Sequence, residues 1–271
     1  MRNEPLIMGI LNVTPDSFSD GGLYFDRNSA LDRARQMSQE GADIIDVGAE
    51  STRPGAMPVN VQEELNRVLP VLDLVKPLAG RISIDTTKYE VAREAVEHGA
   101  SILNDVSGGS DIRMAELAAE HSLDVILMHR QGTPATMQVC PEYPQGVVHE
   151  VFEYLSQRAR KFEEAGVVKE KIWVDVGIGF GKTFEQNCQL LRHLDRFNQI
   201  AGRVVIGTSR KSFLGKMLGE EPALPVDRRC PGTLASNLWA YSQGASVFRV
   251  HDVGEFKLAL TTWRKIVNVS D

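Results

Sequence analysis

The chain has 271 residues, 42% hydrophobic and 24% charged, with a formal net charge of −6. This composition excludes a disordered chain, and the acidic balance argues against nucleic acid as the main partner. No stretch approaches the roughly 20 apolar residues of a membrane span, and the apolar run near the N-terminus is too short for a signal peptide.

Short apolar runs alternate along the chain with longer segments of helical period. Strands are expected over residues 6–11, 43–47, 81–84, 101–103, 124–128, 172–174, 204–206 and 246–250. They read as continuous apolar runs, as strands buried on both faces should. The first helical segment, 28–40, carries Ala30, Leu31, Ala34 and Met37 on one face and stops at Gly41. Asn60 followed by Glu63 predicts a capping box for the helix after the second strand, and Pro70 predicts a kink or break inside it. Segments 89–98 and 147–165 stop at Gly99 and Gly166, the residue type that ends helices by taking a left-handed backbone. Cys140, Cys188 and Cys230 are odd in number and far apart, with no CxxC or Cys/His ligand spacing. Unpaired thiols in a reducing cytoplasm are the expectation, not a disulfide framework or a zinc site.

Eight strands alternating with eight helices predict an α/β fold: a (β/α)8 TIM barrel, with the whole of 1–271 as a single domain. An open doubly wound sheet should show a GxGxxG turn after its first strand, and residues 9–14 form no such turn. The longest irregular stretches, 14–27, 51–60 and 130–146, all follow strands, which places them at the catalytic face of a barrel.

Each strand ends in polar residues: Asn12; Asp46; Asp85; Asn104 with Asp105; His129; Asp175; Ser209-Arg210-Lys211; Arg249 with His251. A complete ring of such groups is a poor device for stability, because buried polar groups cost energy unless paired. The ring divides by charge. Lys211, Arg249 and His251 come from the seventh and eighth strands, where barrels of this kind bind phosphate. Asp252 after them predicts an N-cap for the last helix, with backbone amides facing an anion. Asp85, Asn104 and Asp175 form an acidic and amide group suited either to a metal or to the adjacent N–H donors of a guanidine-like ring edge. Gly177, Gly179 and Gly181 lead into Lys182 without the Walker spacing, so a nucleotide P-loop is rejected. A tight turn that lets a flat ligand approach closely is expected instead.

Taken together these segments resemble dihydropteroate synthases of the folate pathway, over almost the whole chain. Two long motifs carry most of the resemblance: Met8-Gly9-Ile10-Leu11-Asn12-Val13-Thr14-Pro15-Asp16-Ser17-Phe18-Ser19-Asp20-Gly21-Gly22 and Glu50-Ser51-Thr52-Arg53-Pro54-Gly55-Ala56. Ser83-Ile84-Asp85-Thr86, Leu103-Asn104-Asp105-Val106-Ser107-Gly108, Met128-His129-Arg130-Gln131-Gly132-Thr133-Pro134, Ser209-Arg210-Lys211 and Arg249-Val250-His251-Asp252 follow in family order. The resemblance implies that p-aminobenzoate is joined to 6-hydroxymethyl-7,8-dihydropterin diphosphate with loss of pyrophosphate, by a dissociative displacement at the pterin methylene. It implies Mg²⁺ as cofactor with Asn12 as its protein ligand, and Asn12, Arg249 and His251 as pyrophosphate contacts. Asp85, Asn104, Asp175, Phe180 and Lys211 match pterin-binding positions. Thr52, Arg53, Pro54, Phe180, Lys211 and Ser212 match p-aminobenzoate positions. Asp20, Lys211, Arg249 and His251 are the implied catalytic groups, with Phe18 and Asp20 on the first mobile loop. A homodimer is implied too, with Trp239, Trp263 and Phe256 as candidates for its interface or for the core. Ala49, Val176 and Arg130 depart from the commonest family pattern. A pterin-binding methyltransferase barrel and a pterin-binding paralogue without catalysis are the alternatives.

Overall fold

The computed structural model describes residues 4–14, 27–50, 58–133, 136–137, 139–217 and 224–268. Phe18, Asp20, Thr52, Arg53 and Pro54 therefore lie outside the described residues.

Eight parallel strands, β1 (Leu6–Asn12), β2 (Ile44–Gly48), β3 (Arg81–Asp85), β4 (Ile102–Asp105), β5 (Asp124–Met128), β6 (Ile172–Asp175), β7 (Arg203–Ile206) and β8 (Val247–Val250), pair in chain order. β8 returns to β1, so the sheet is a closed barrel. Helices α1 (Arg27–Gln39), α2 (Val61–Val75), α3 (Tyr89–Glu97), α4 (Arg113–Glu120), α5 (Val147–Glu164) and α6 (Phe184–Arg192) follow the first six strands. Two helices, α7 (Ser212–Met217) and α8 (Cys230–Ser242), lie between β7 and β8, where the alternation predicts one; α9 (Val253–Val267) closes the described chain.

The expected strand positions hold, but five strands run further at their C-terminal ends than their apolar runs suggest. Asn12, Asp85, Asn104, Asp105 and Asp175 are ladder residues, not loop residues. Their backbones are therefore fixed by inter-strand hydrogen bonds, a stiffer mounting than a loop.

The helix stops at Gly41, Gly99 and Gly166 form as expected, with φ of 90°, 102° and 101°. In each, the glycine N–H and the next residue's N–H reach back to the last turn, as in Ala42 N to Met37 O at 2.9 Å and Gly41 N to Ser38 O at 3.1 Å. Two helix expectations need correction. α2 runs unbroken through Pro70. Asn60 does cap α2 by accepting from Glu63 N at 2.9 Å, but the Glu63 carboxylate bonds Arg67. The reciprocal capping box occurs at α6, between Thr183 and Gln186.

Side chains alternate along each strand. One set packs outward against the helices in the larger core, with Leu11, Val47, Ile84, Leu103, Val174 and Phe248 among its members. The other set points into the barrel, where Met8, Ile44, Ile102, Ile126, Trp173, Val205 and Val247 form an apolar plug. Arg81 and Arg203 stack over Trp173, their guanidinium carbons 5.4 and 5.7 Å from a Trp173 ring centre. That closes the N-terminal end. Two residues further along the same faces come Asp46, Asn104, Asp175, Gly207 and Arg249. The plug thus ends in one layer, and a polar chamber begins above it.

Phe256 is fully buried in the core, whereas Trp239 is 48% exposed. Of the three positions that depart from the family pattern, Ala49 and Val176 are buried core residues.

Candidate active site

The chamber floor is set by strand register. Asn12 lies opposite Gly48, Gly48 opposite Asp85, and Asp85 opposite Asn104, so these four form one row across β1 to β4. A Cβ on Gly48 would stand 3.1 Å from the Asp85 Cβ. Glycine there leaves the Asp85 side chain its room.

Asp46 lies two residues before Gly48 on β2 and is fully buried. Across the barrel, Arg249 donates from Nε to Asp46 Oδ2 at 2.7 Å and from Nη2 to Asp85 Oδ2 at 2.7 Å. Asn104 donates from Nδ2 to the same Asp46 carboxylate at 3.2 Å. The expected division of the ring by charge is therefore corrected: the acidic group and the strand-eight cation are one network. A buried carboxylate needs such partners, because an unpaired one carries the full desolvation cost. Burial pushes the Asp85 carboxyl up to about 7, against the pull of Arg249. Burial also disfavours the Arg249 cation, but Asp46 and Asp85 outweigh it and hold its pKa above the ordinary arginine value.

Beside this network stand Asp175 and Lys211. Asp175 Oδ1 accepts from Gly177 N at 2.8 Å. Burial raises its pKa, and Lys211 opposes the rise. Lys211 follows a turn in which Arg210 has φ of 59°. Its Nζ donates to the Ile178 carbonyl and lies 4.6 Å from the centre of the Phe180 ring. Burial lowers Lys211 to about 8, although Asp175 favours its charged form. A Cβ on Gly207 would meet the Arg249 Cβ at 3.8 Å, and Asp175 Oδ2 and Lys211 Nζ at 4.0 Å. Glycine at the end of β7 therefore keeps open the space on which these three side chains converge.

The glycine turn after β6 differs from expectation. Cβ atoms on Gly177 and Gly181 would fall 1.9 Å from the His129 carbonyl oxygen and 2.7 Å from the Gln131 carbonyl oxygen. These glycines admit the backbone after β5, not a flat ligand. Only Gly179, 3.3 Å from Lys211 Cδ by the same construction, faces the chamber.

At the rim, His251 Nδ1 lies 2.9 Å from Ser209 Oγ, and that oxygen accepts from His251 N at 3.1 Å. Because Oγ is already an acceptor, its hydroxyl is available to donate to Nδ1. The neutral ring then carries its hydrogen on Nε2. Arg33 on α1 donates to the His251 carbonyl. Asp252 holds the N-cap position of α9, but its side chain makes no capping bond. It accepts instead from Arg210, with Nε to Oδ2 at 3.0 Å. Ser212 opens α7 and is exposed.

Three residues matter more than the sequence indicates. Asp46 is visible there as a strand end, yet nothing marks it as the anchor for Arg249 and Asn104. His129 and Lys182 are both buried, with Lys182 Nζ 3.0 Å from His129 Nδ1. The two-residue spacing of Asp46 from Ile44 gives its inward direction but not its partners, and the glycine run before Lys182 gives that residue's place but not its contact with His129.

Among the described residues no three His, Cys, Asp or Glu side chains gather to hold a metal. Asn12 offers one amide oxygen at the edge of the row. That donor set fits a hard cation that keeps water and takes most of its oxygen ligands from a substrate phosphate.

The chain matches the pterin binding enzyme family over residues 8–251. It is 44% identical to a dihydropteroate synthase of Haemophilus influenzae, covering 97% of this chain and 94% of that one. It resembles the structure of Xanthomonas albilineans dihydropteroate synthase with 4-aminobenzoic acid, with a TM-score of 0.90 and 39% identity over 99% of this chain and 95% of that one. The same enzyme in complex with 7,8-dihydropteroate superposes with a TM-score of 0.88 and 37% identity, at the same coverage.

Proposed function

This chain belongs to the dihydropteroate synthase family of pterin-binding transferases, and we propose that it joins p-aminobenzoate to 6-hydroxymethyl-7,8-dihydropterin diphosphate with release of pyrophosphate. The observation that carries this reading is the convergence of Asp175, Lys211 and Arg249 on the space left open by Gly207. One carboxylate and two cations around a cavity suit a ligand with a donor-rich ring edge and an anionic tail.

In this reading the pterin lies on the floor. Asp175 accepts from its amino group and ring N–H, with Asp85 and Asn104 beside it. Lys211 and Phe180 bracket the ring, their 4.6 Å separation already a cation–π contact. Arg249 has five donors, and its two bonds to Asp46 and Asp85 leave others for an anion. Arg249 and His251 bind the diphosphate, and Asn12 completes this end. Mg²⁺ held by Asn12 with the diphosphate would supply charge neutralisation for the leaving group. Thr52, Arg53, Pro54 and Ser212 receive p-aminobenzoate.

The displacement is dissociative. The methylene C–O bond breaks with its electron pair leaving on pyrophosphate, and the pterin methylene becomes cationic. The amine nitrogen forms the new C–N bond and then loses a proton. The attacking amine is already neutral, so no strong base is needed. The main task is stabilising separated charge, which fixed cations and carboxylates perform without reorganising. Asp20 stabilises the cationic methylene in this account. A homodimer and a cytoplasmic location complete the proposal. Half-exposed Trp239 on α8 supports a dimer interface, and sedimentation giving only a monomer would remove it.

The test is direct. Purified protein is mixed with the dihydropterin diphosphate, p-aminobenzoate and Mg²⁺, and pyrophosphate is measured. Release that depends on p-aminobenzoate, with dihydropteroate appearing alongside, is expected. Pterin binding without release would overturn the reaction in favour of a non-catalytic pterin binder or a pterin-dependent methyltransferase.

A further inference from the structure

Lys182 and His129 are buried titratable groups to which the proposed reaction gives no part. Lys182 is 3% exposed and His129 6%. The Lys182 ammonium is met by three acceptors: His129 Nδ1 at 3.0 Å, the Phe180 carbonyl at 2.9 Å and the His129 carbonyl at 3.4 Å. An ammonium has three N–H donors and no acceptor, so this nest satisfies the charged form in full. The imidazole must then accept at Nδ1 and carry its hydrogen on Nε2.

These contacts lie in the seam between two backbones. Gly177 and Gly181 press against the His129 and Gln131 carbonyls. The far side of the turn is pinned by Asn187, which accepts from Gly179 N at 2.7 Å and donates to the Thr183 carbonyl at 2.7 Å. Lys182 pins the near side. It holds the carbonyl of Phe180, whose ring meets Lys211, in the same turn that offers the Ile178 carbonyl to Lys211.

We infer that Lys182, seated on His129, is a positioning residue that keeps the turn after β6 in register with Lys211. This rests on the reading of Lys211 and Phe180 as substrate contacts. The groups facing the pair are Asp175 and Lys211 toward Lys182, and Tyr154 and Tyr143 toward His129, with ring centres 4.9 and 6.0 Å away. Burial disfavours the charge on Lys182 and Lys211 adds repulsion, while Asp175 supports it. Burial and then Lys182 hold the His129 imidazole far below its usual range, to about 2.

The experiment compares the full-length chain with Lys182→Met, His129→Asn and His129→Leu. For Lys182→Met, KM for both substrates should rise by about tenfold or more, the scale of a lost hydrogen bond to a charged group, with a smaller effect on kcat. The alkaline limb of kcat/KM should also move, because releasing the turn changes the carbonyl and ring contacts that surround the Lys211 ammonium. A purely structural loss would lower thermal stability without moving that limb. Asn places an oxygen near the position of Nδ1 and keeps the acceptor, whereas Leu does not. His129→Asn should therefore retain more affinity than His129→Leu. KM within twofold of wild type and an unmoved limb in Lys182→Met would overturn the inference. If that variant does not fold, equal KM values for the two His129 variants would overturn it. If the wild-type chain releases no pyrophosphate, the reaction reading fails; calorimetric pterin affinity of wild type against Lys182→Met then decides this inference separately.

Discussion

Lys211 stands where three demands meet: it donates to a backbone carbonyl, covers an aromatic ring and faces Asp175. Its pKa near 8 has a consequence with a definite sign. The ammonium is present below that value and lost above it, so kcat/KM should fall as pH rises through about 8. The folded-state pKa is depressed, so burying the cation costs stability below about pH 8. That cost disappears as pH climbs from there toward the unfolded lysine value. Deprotonation of Lys211 therefore favours folding while it removes activity. Lost activity at pH 9 with undiminished thermal stability is the expected pattern, checked by a pH–rate profile beside a melting series. Lys211→Ala should cripple turnover and leave the circular dichroism spectrum unchanged; near-normal turnover in that variant would move the site elsewhere.

At the scale of strands and turns, two glycines predict opposite behaviour. Gly177→Ala places a methyl on the His129 carbonyl in a left-handed backbone, so strain and overlap add. A loss of more than about 2 kcal/mol in denaturant unfolding is expected. Gly207→Ala meets only ordinary contacts, and its unfolding midpoint should stay near wild type while pterin affinity drops, because the methyl fills ligand space. Equal stability in the two variants would contradict this account of the turn. The same elements show how far the sequence could be read. Eight strands were legible because an apolar run between helical segments has few other readings. Strand ends were placed short because polar residues look like loop, yet Asp85 and Asp175 are held in the ladder. α2 passes through Pro70 because tertiary packing, which buries Val68, Val71 and Leu72 on either side, overrides the local penalty. Ring members could be named, but not their pairings: Arg249 and Asp46 lie 203 residues apart and meet only when the barrel closes.

That closure sets the largest conflict in the molecule. The barrel interior holds an apolar plug at one end and, one layer above it, Asp46, Asp85 and Arg249. The plug favours folding; the two carboxylates of the charged layer share one cation, Arg249, which bridges β8 to β2 and β3. Replacing Arg249 with Met would leave two carboxylates facing each other, with Asp46 fully buried. Removing one partner of such a group costs about 3 kcal/mol at neutral pH. The pH dependence separates this from simple loss of packing. Burial raises the Asp85 pKa, Arg249 lowers it and Asp46 raises it further. Without the guanidinium the folded-state pKa climbs further above its unfolded value. Stability contributed by the protonated carboxyl is full below the unfolded pKa near 4 and is lost as pH rises to the folded pKa; in wild type that loss ends near 7, and in the variant it continues above 7. Arg249→Met should therefore lie closest to wild type in mildly acidic buffer and fall away from it as pH rises past 7. Urea unfolding of both proteins at pH 5.5 and pH 8 measures the difference directly. A gap that stays constant between the two buffers would mean that Arg249 contributes through packing alone, and that charge pairing does not hold the chamber floor.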